Sequence, residues 1–309
     1  MDARYYSFNK YLQDRFGCRV HRLSLNAGFG CPNLDGTLSS DGCIFCANKA
    51  FSHFAENPGV PLKDQLAQAK AFAQKRFKAE KFIAYFQSFS ATYADPDHLK
   101  KQYSVIEGDD DIVGLAISTR PDCIDDAKLD VIESFSSKYE VYLEYGLQSV
   151  HDQTLAAINR NHAFADFQKA VGMTAGRKIH VACHVILGLP GETLADIFAT
   201  AKKLAELPLW GVKFHCLHVV KDTALEKLYN SQRLRLFSRD EYIDALVGFL
   251  EILPPQFVVL RLVSDADPRY LVAPAWVNDK PKFILEFERE LKQRDSFQGK
   301  SYGSISPKS

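Results

Sequence analysis

Residues 28–48 have the sequence GFGCPNLDGTLSSDGCIFCAN, and the rest of the chain is organised around this stretch. It contains three of the seven cysteines, Cys31, Cys43 and Cys46, with the spacing C-x11-C-x2-C. Glycine, proline, asparagine, aspartate and serine fill the interval between the first two, which predicts a loop rather than a helix. Three thiolates are one ligand short of a closed zinc or iron–sulfur site. One iron of a 4Fe–4S cluster would therefore be open to another molecule, which favours chemistry over a structural role.

The composition is that of a globular protein without a dominant charge. The chain has 309 residues, enough for one barrel-sized domain or two smaller ones, and 46% of them are hydrophobic. Lys plus Arg and Asp plus Glu both number 38, so the net charge neither indicates nor excludes a nucleic-acid partner. The sequence contains no apolar run of membrane-spanning length, and its polar N-terminus lacks the apolar core of a signal peptide. With an odd number of cysteines, a reducing cytoplasm is the expected compartment.

Short apolar segments alternate with segments of helical periodicity along most of the chain. The predicted strands are residues 20–26, 82–87, 112–118, 141–147, 179–187, 212–219 and 257–263. Ser238 and Glu241 form a capping box before one of the intervening helices, and a further helix is predicted at residues 282–292. Six or seven strands separated by helices indicate parallel β/α units, hence an open or partial β/α barrel, with a doubly wound sheet as the alternative.

Polar residues gather at the ends of the predicted strands. They are Asn26 with the cysteine loop, Gln87 and residues 119–122, 144–148, 188–192 and 215–218. In a β/α barrel the loops that follow the strands meet on one face, and that face carries the chemistry. We therefore expect these residues to form one site.

Glu144 is one of two candidate catalytic residues. It lies on a strand interrupted by glycine, where a carboxylate can accept hydrogen bonds from a ribose or an amino group, or pair with Arg120 or Arg160. In the later turn GLPGE, Gly188 and Gly191 would let backbone groups approach a flat ligand closely, although an ordinary tight turn explains them equally well.

His218 is the other candidate catalytic residue. His215 and His218 are three residues apart, so both can line the barrel only if the strand ends between them. His218 lies at the predicted strand end and is the better candidate. His180 and His184, within the fifth predicted strand, are expected to be structural.

A zinc knuckle is the alternative interpretation of the cysteine triplet, with Cys18 or His53 as the fourth ligand. A single C-x2-C without a second pair does not match the usual zinc spacing. This interpretation would make the chain a zinc-stabilised binding protein without turnover. Cysteines outside the triplet are expected to be small buried residues.

Several stretches together resemble the radical S-adenosylmethionine superfamily, and within it the YhcC/YtqA-like group, a relative of the elongator catalytic-subunit branch. The matching stretches are LNAGFGCPNLDG with CIFC, YFQSFSATY, GLAISTRPDCI, EYGLQSVHDQTLAAINRNH, HVILGLPGET, KFHCLHVVKDTALE and LVAPAW. They span about residues 20–276, which is most of the chain. The chain departs from the group's histidine-glycine-glycine approach to the cysteine loop, and from its arginine before the aspartate.

The resemblance implies a partial (β/α)6-type TIM barrel at residues 20–264, an N-terminal extension at residues 1–19, and a C-terminal extension at residues 265–309 with a mobile end. It also implies that Cys31, Cys43 and Cys46 ligate a 4Fe–4S cluster whose open iron binds the amino and carboxylate groups of S-adenosylmethionine. One electron from the cluster would then cleave this molecule to methionine and a 5′-deoxyadenosyl radical, which abstracts hydrogen from the substrate.

By analogy with the superfamily, further residues would contact S-adenosylmethionine. Gln148 and Arg160 would contact its methionine part and Glu144 its ribose, and Phe45 would lie near the adenine or shield the cluster. The turn that supports the adenine would comprise residues 186–192, with Ile186, Gly188, Gly191 and Glu192.

The resemblance leaves the substrate open. Members of the related branch act on the wobble uridine of transfer RNA, which makes tRNA one candidate, and a peptide or a small metabolite is the alternative. A basic tail would contact the RNA, unless it is simply a solvated helix face; its cations are Lys280, Lys282, Arg289, Lys292, Arg294 and Lys300. The implied partner is an electron donor such as flavodoxin or ferredoxin. No membrane association is expected, and the oligomeric state is not determined.

Overall fold

The structure is a computed structural model that describes residues 3–47, 50–51, 54 and 59–304. Within these ranges the helices are α1 (Phe8–Phe16), α2 (Leu62–Phe77), α3 (Pro96–Tyr103), α4 (Asp126–Ser134), α5 (Asp152–Ala157), α6 (Phe164–Thr174), α7 (Leu194–Ala205), α8 (Ala224–Asn230), α9 (Arg239–Ile252) and α10 (Lys280–Gln293). The strands are β1 (Val20–Leu25), β2 (Lys81–Phe86), β3 (Ile112–Thr119), β4 (Glu140–Gln148), β5 (His180–Leu187), β6 (Gly211–Cys216), β7 (Val219–Val220), β8 (Val258–Arg261) and β9 (Leu271–Ala273).

Seven strands form one parallel sheet in the order β1-β2-β3-β4-β5-β6-β8. The sheet is curled, and two contacts across its inner face show this. Arg22 on β1 and Lys213 on β6 both donate hydrogen bonds to Glu144 on the central strand β4. Strands β1 and β8 are the two edges and do not pair with each other. The prediction of a partial β/α barrel is therefore confirmed, with a seventh strand.

The helices cover the outer face of the half-barrel and complete its core. β3, β4 and β5 are buried along almost their whole length, as expected for parallel strands with both faces covered. On the outer face, Phe214 of β6 packs edge-on against Phe249 of α9, with ring centroids 5.0 Å apart. The predicted capping box of α9 is confirmed, since Ser238 accepts from the Glu241 N–H and the Glu241 carboxylate accepts from the Ser238 N–H.

Three local features add to or differ from the sequence-based expectation. Residues 8–16 form α1, whose Phe8 packs against Tyr142 and Trp210 inside the sheet. The predicted strand at 212–219 stops at Cys216, and the following residues pair in antiparallel fashion with β9 as the short strand β7. The helical stretch after β4 is interrupted between α5 and α6, where Asn159 and Asn161 have positive φ. The last two differences position the site.

Among the described residues, no helix combines the length and the apolar character that a membrane span requires. The predicted mobile end of the C-terminal extension lies outside the described residues from position 305 onward.

Candidate active site

The cysteine loop follows β1 and is fixed to the connections on the carboxyl side of the sheet. The Ile44 N–H donates to the Ile158 carbonyl at 3.1 Å, and Asn159 Nδ2 donates to the Gly42 carbonyl at 2.6 Å. A third bond runs from the Leu225 N–H, at the start of α8, to the Ile44 carbonyl at 2.9 Å. These bonds hold the loop over the end of the half-barrel where the polar strand ends meet.

Cys31, Cys43 and Cys46 line one cavity of about 110 Å³, called here the thiol cavity. It also receives residues from the ends of β3, β4 and β5 and from the α5–α6 connection, namely Thr119, Arg120, Gly146, Gln148, Arg160 and His184. The structure therefore brings the three cysteines together with some of the predicted strand-end residues, those in the segments 119–122 and 144–148.

Two side chains donate hydrogen bonds to the sulfur of Cys43. Arg160 Nη1 and Asn33 Nδ2 each lie 3.5 Å from Cys43 Sγ. Burial raises the pKa of Cys31, and the backbone N–H of Asn33 and the guanidinium groups of Arg120 and Arg160 oppose that rise. Cationic donors of this kind stabilise thiolates and tune the iron–sulfur clusters that thiolates bind.

Arg160 is held in place by three different partners. Its Nη2 donates to the Gly146 carbonyl at 2.5 Å, and its Nε donates to His162 Nε2 at 2.9 Å. Burial and the nearby Arg160 lower the pKa of His162 to about 4, so the imidazole is neutral and can accept this bond. With Cys43 as the third partner, every nitrogen of the guanidinium has an acceptor.

The three thiols do not converge on a single ion. Among the described residues, no group of three or more His, Cys, Asp or Glu side chains is arranged to hold one metal ion. A 4Fe–4S cluster does not require such convergence, because each thiolate binds a different iron. Cys18 precedes β1 and lies at the opposite end of that strand, so it cannot complete a zinc site; His53, the other suggested ligand, lies outside the described residues.

A second cavity of about 230 Å³, called here the inner cavity, continues from the thiol cavity into the half-barrel. Cys46, Ser118, Gln148 and His184 line both cavities. Phe45 and Ile186 line the inner cavity with Gln148, so three of the predicted S-adenosylmethionine contacts lie together. Gln148 has a φ of 83° at a register shift of β4, an uncommon conformation for a residue other than glycine.

Three histidines line the inner cavity. His215 and His218 both reach it, because β6 ends at Cys216 between them. His184 was expected to be structural; it does bond Glu144, but it also lines both cavities. Burial, reinforced by Arg261, lowers the pKa of His218 to about 4, and burial lowers the pKa of His184 to about 3. These rings are therefore neutral, and the buried Nδ1 of His218 has no partner among the described residues.

Glu144 is fully buried and lines neither cavity. Its carboxylate accepts from Arg22 Nη1 at 2.8 Å, Tyr85 OH at 2.9 Å, His184 Nε2 at 2.7 Å and Lys213 Nζ at 2.8 Å. Burial alone would raise the pKa of Glu144, but the charges of Arg22 and Lys213, together with the hydrogen bond from His184, outweigh it and hold that pKa well below the usual range. For Glu144 to contact a bound ribose, one of these four donors would have to break its hydrogen bond to the carboxylate.

The predicted arginine partners of Glu144 are wrong. Arg120 forms an ion pair with Asp122. Arg160 donates hydrogen bonds to Gly146, Cys43 and His162. The actual partner, Arg22, comes from β1, because the curvature of the sheet brings β1 and β4 together.

Lys213 was not identified from the sequence. Its Nζ lies 2.6 Å from Tyr85 OH, and both residues line the inner cavity. Burial lowers the pKa of Lys213 to about 7; Glu144 opposes the shift, while Arg261 and Arg22 add to it. A charged residue between apolar neighbours, Val212 and Phe214, in a predicted barrel strand was the available signal for Lys213.

The turn at residues 188–192 lines neither cavity. Gly188 has a φ of 89°, and a Cβ at this position would lie 3.3 Å from the Phe237 ring. Gly191 also has a positive φ, and the half-buried carboxylate of Glu192 accepts from the Ser149 hydroxyl. Of the segment 186–192 that was predicted to support the adenine, only Ile186, at the end of β5, lines the inner cavity.

Several cations of the basic tail are engaged within the chain. Arg294 Nη2 lies 2.6 Å from Asp244 and 3.0 Å from Glu290, and Lys280 Nζ lies 3.2 Å from Asp265. Lys300 Nζ donates to the carbonyls of Arg294 and Asp295. The tail is therefore less free to bind RNA than its sequence indicates.

Comparison with known proteins agrees with this geometry. The model of the Radical SAM superfamily matches residues 30–204, and that of the Radical_SAM C-terminal domain matches residues 209–293. The chain is 35% identical over 308 residues to the uncharacterized protein YtqA of Bacillus subtilis, covering 100% of this chain and 96% of that protein. It is 24% identical over 164 residues to the tRNA uridine(34) acetyltransferase of Dehalococcoides mccartyi, covering 52% of this chain and 35% of that protein.

The fold resembles that of the archaeal Methanocaldococcus infernus Elp3, with a TM-score of 0.62 and 16% identity. The similarity covers 91% of this chain and 64% of that one, so this chain spans less than two thirds of the archaeal protein. With matches to the superfamily model and to a relative of nearly equal length, the chain belongs to the radical S-adenosylmethionine superfamily, whose enzymes use a 4Fe–4S cluster and S-adenosylmethionine.

Proposed function

We propose that this radical S-adenosylmethionine enzyme modifies the wobble uridine of transfer RNA. The observation that carries the proposal is the 24% identity of half the chain to a tRNA uridine(34) acetyltransferase, over a stretch of 164 residues. The similarity in fold to an archaeal Elp3 is consistent with it. Residues 20–264 would form the catalytic half-barrel, and residues 265–309 a C-terminal extension.

Cys31, Cys43 and Cys46 would hold the cluster in the thiol cavity. When bound, the cluster and S-adenosylmethionine supply a 5′-deoxyadenosyl radical by reductive cleavage. The residues present fit such a group, because three thiols line one cavity and two side-chain donors point at the sulfur of Cys43. Arg160 and Asn33 would orient that sulfur.

Gln148, Ile186 and Phe45 would orient S-adenosylmethionine between the two cavities. Gln148 is suited to this because the irregularity at the end of β4 places its amide on the wall that the cavities share. Enclosure of the reacting atoms by the half-barrel would keep water from a reactive intermediate. Glu144 would act from behind this wall, by holding His184 and Lys213 in position.

His218 would contact the substrate base in the inner cavity. Its ring is neutral, and a neutral imidazole can donate one hydrogen bond and accept another. The edge of a uracil also presents both a donor and acceptors, so the two are complementary. A one-electron donor such as flavodoxin or ferredoxin would reduce the cluster.

The test is mass spectrometry of tRNA nucleosides from a strain that lacks the gene. The strain should lack one wobble-uridine product and accumulate its precursor. Wild-type enzyme should restore the product, and the Cys43→Ala variant should not. An unchanged nucleoside profile would refute the tRNA proposal and would favour a peptide or a small metabolite.

Binding of purified tRNA by the reconstituted enzyme gives a second readout. Phosphate contacts make affinity fall steeply with salt concentration. Charge reversal at Lys292 and Arg294 would weaken this binding if the tail contacts the RNA. A salt-independent affinity in the wild type would contradict the proposal.

A further inference from the structure

Arg120 has a buried donor without an acceptor, and it lies at the thiol cavity. The residue follows β3 and is 2% exposed, yet it lines the cavity with the three cysteines. Its Nε and Nη2 donate to the two carboxylate oxygens of Asp122 at 2.8 and 2.7 Å. Its Nη1 is buried and has no partner among the described residues. A buried charged donor left unpaired is costly, so such a group indicates a ligand that the protein binds.

The second arginine of the cavity has no such donor. Each guanidinium nitrogen of Arg160 already has an acceptor, in His162, Cys43 or Gly146. The resemblance placed the methionine contact on Gln148 and Arg160. Of these two arginines, the one that has a guanidinium nitrogen without any acceptor is Arg120.

The position of Arg120 also indicates the charge of the missing partner. Asp122 binds the guanidinium edge formed by Nε and Nη2, and the Asn161 carbonyl accepts from Nη2 at 3.3 Å, so Nη1 is the one nitrogen of this group without an acceptor among the described residues. Burial opposes the charge of Arg120, whereas Asp122 and, after it, Cys31 and Cys43 raise its pKa; neither sulfur accepts a hydrogen bond from Nη1. The site is therefore prepared for an additional anion that enters beside the thiols.

We propose that Arg120 binds the methionine carboxylate of S-adenosylmethionine through Nη1, and that Asp122 is the positioning residue that aims it. An arginine paired with a carboxylate forms a strong, charge-assisted hydrogen bond, and its planar group keeps the orientation that the clamp imposes. The inference rests on the cofactors of the superfamily and does not depend on tRNA as the substrate.

The test compares two ligands that differ by this carboxylate. Dissociation constants of S-adenosylmethionine and decarboxylated S-adenosylmethionine are measured by equilibrium dialysis on the reconstituted holoenzyme. Arg120→Gln should weaken S-adenosylmethionine binding by about 10- to 100-fold, the loss expected for one charged hydrogen bond. It should leave the affinity for the decarboxylated ligand unchanged. Arg177→Gln is the matched control, because Arg177 pairs with Asp126, Asp130 and Glu133 on the outside of the barrel.

Iron content and the urea unfolding midpoint show whether each variant is folded and loaded. If Arg120→Gln does not hold iron, Asp122→Asn provides the second test. It keeps the guanidinium but loosens its clamp, so it should cause a smaller loss for S-adenosylmethionine and none for the decarboxylated ligand.

Two results would overturn the assignment. One is an equal loss for both ligands in the folded, iron-loaded variant. The other is an unchanged affinity for S-adenosylmethionine together with a shifted reduction potential of the cluster. That result would mean that Arg120 Nη1 donates to a cluster sulfur instead. Failure of the tRNA proposal would leave these constants unaffected, so the two proposals fail separately.

Discussion

Gly146→Ala should disturb the site through Arg160 without changing any ligand residue. A Cβ at position 146 would lie 2.7 Å from Arg160 Nη2 and 3.0 Å from the Gln148 side-chain nitrogen. Ordinary contacts of this kind are roughly 3.5–4 Å, so the guanidinium must move by about 1 Å. Arg160 is buried and held by three acceptors, so it cannot move without losing hydrogen bonds.

The expected magnitude follows from those bonds. A hydrogen bond from a charged donor contributes about 1.5–3 kcal/mol, and at least one of the three should be lost. We expect a decrease of about 2 kcal/mol in the free energy of unfolding, measured with urea on the apoprotein. The donor to Cys43 stabilises the more negative, reduced cluster, so the midpoint potential should also fall. If the lost hydrogen bond stabilised the reduced cluster by about 1 kcal/mol more than the oxidised one, the potential should fall by roughly 40 mV for one electron.

Gly172→Ala is the matched control for this prediction. Gly172 lies in α6, and a Cβ there would meet nothing within 4 Å. Alanine in a helix should stabilise the fold by about 0.5–1 kcal/mol and leave the potential unchanged. A Gly146→Ala protein with wild-type stability, iron content and midpoint potential would show that the position of Arg160 does not matter to the cluster.

Two further predictions concern the cysteines and the base of the barrel. Cys31→Ala, Cys43→Ala and Cys46→Ala should each lose the cluster, whereas Cys18→Ala should keep it; iron retention in Cys43→Ala would contradict the ligand set. Hydrogen bonds and charge from His180 and Arg15 outweigh burial and lower the pKa of Glu140 to about 2. The ionised carboxylate therefore stabilises the folded state fully above the unfolded pKa of about 4.3. This contribution to the free energy of unfolding is lost as the pH falls toward 2. Glu140→Gln should therefore lower the free energy of unfolding at pH 6, and urea titrations should show a smaller decrease of that free energy between pH 5 and pH 3. A decrease as steep as in the wild type would show that other groups cause the acid destabilisation.

The sequence predicted those features that depend on local rules. The cysteine loop, the β/α alternation and the capping box at Ser238 follow from spacing, periodicity and short-range hydrogen bonding, and the structure places them as expected. That His215 and His218 both line the inner cavity was harder to predict from the sequence. It depends on the exact residue at which β6 ends, and strand ends are the least certain part of any sequence-based assignment.

The network at Glu144 could not be predicted, because it depends on how far the sheet curves. Arg22 and Lys213 are 122 and 69 residues away from Glu144 along the chain. Neither pairing has a local signal, and a flat sheet would separate β1 from β4 by two strands. Burying these charges is not the most stable way to fill a barrel, since apolar side chains of equal volume often do better. What the network provides instead is a fixed direction for His184 and Lys213, which line the inner cavity, so that the carboxylate shapes the site without being part of its surface.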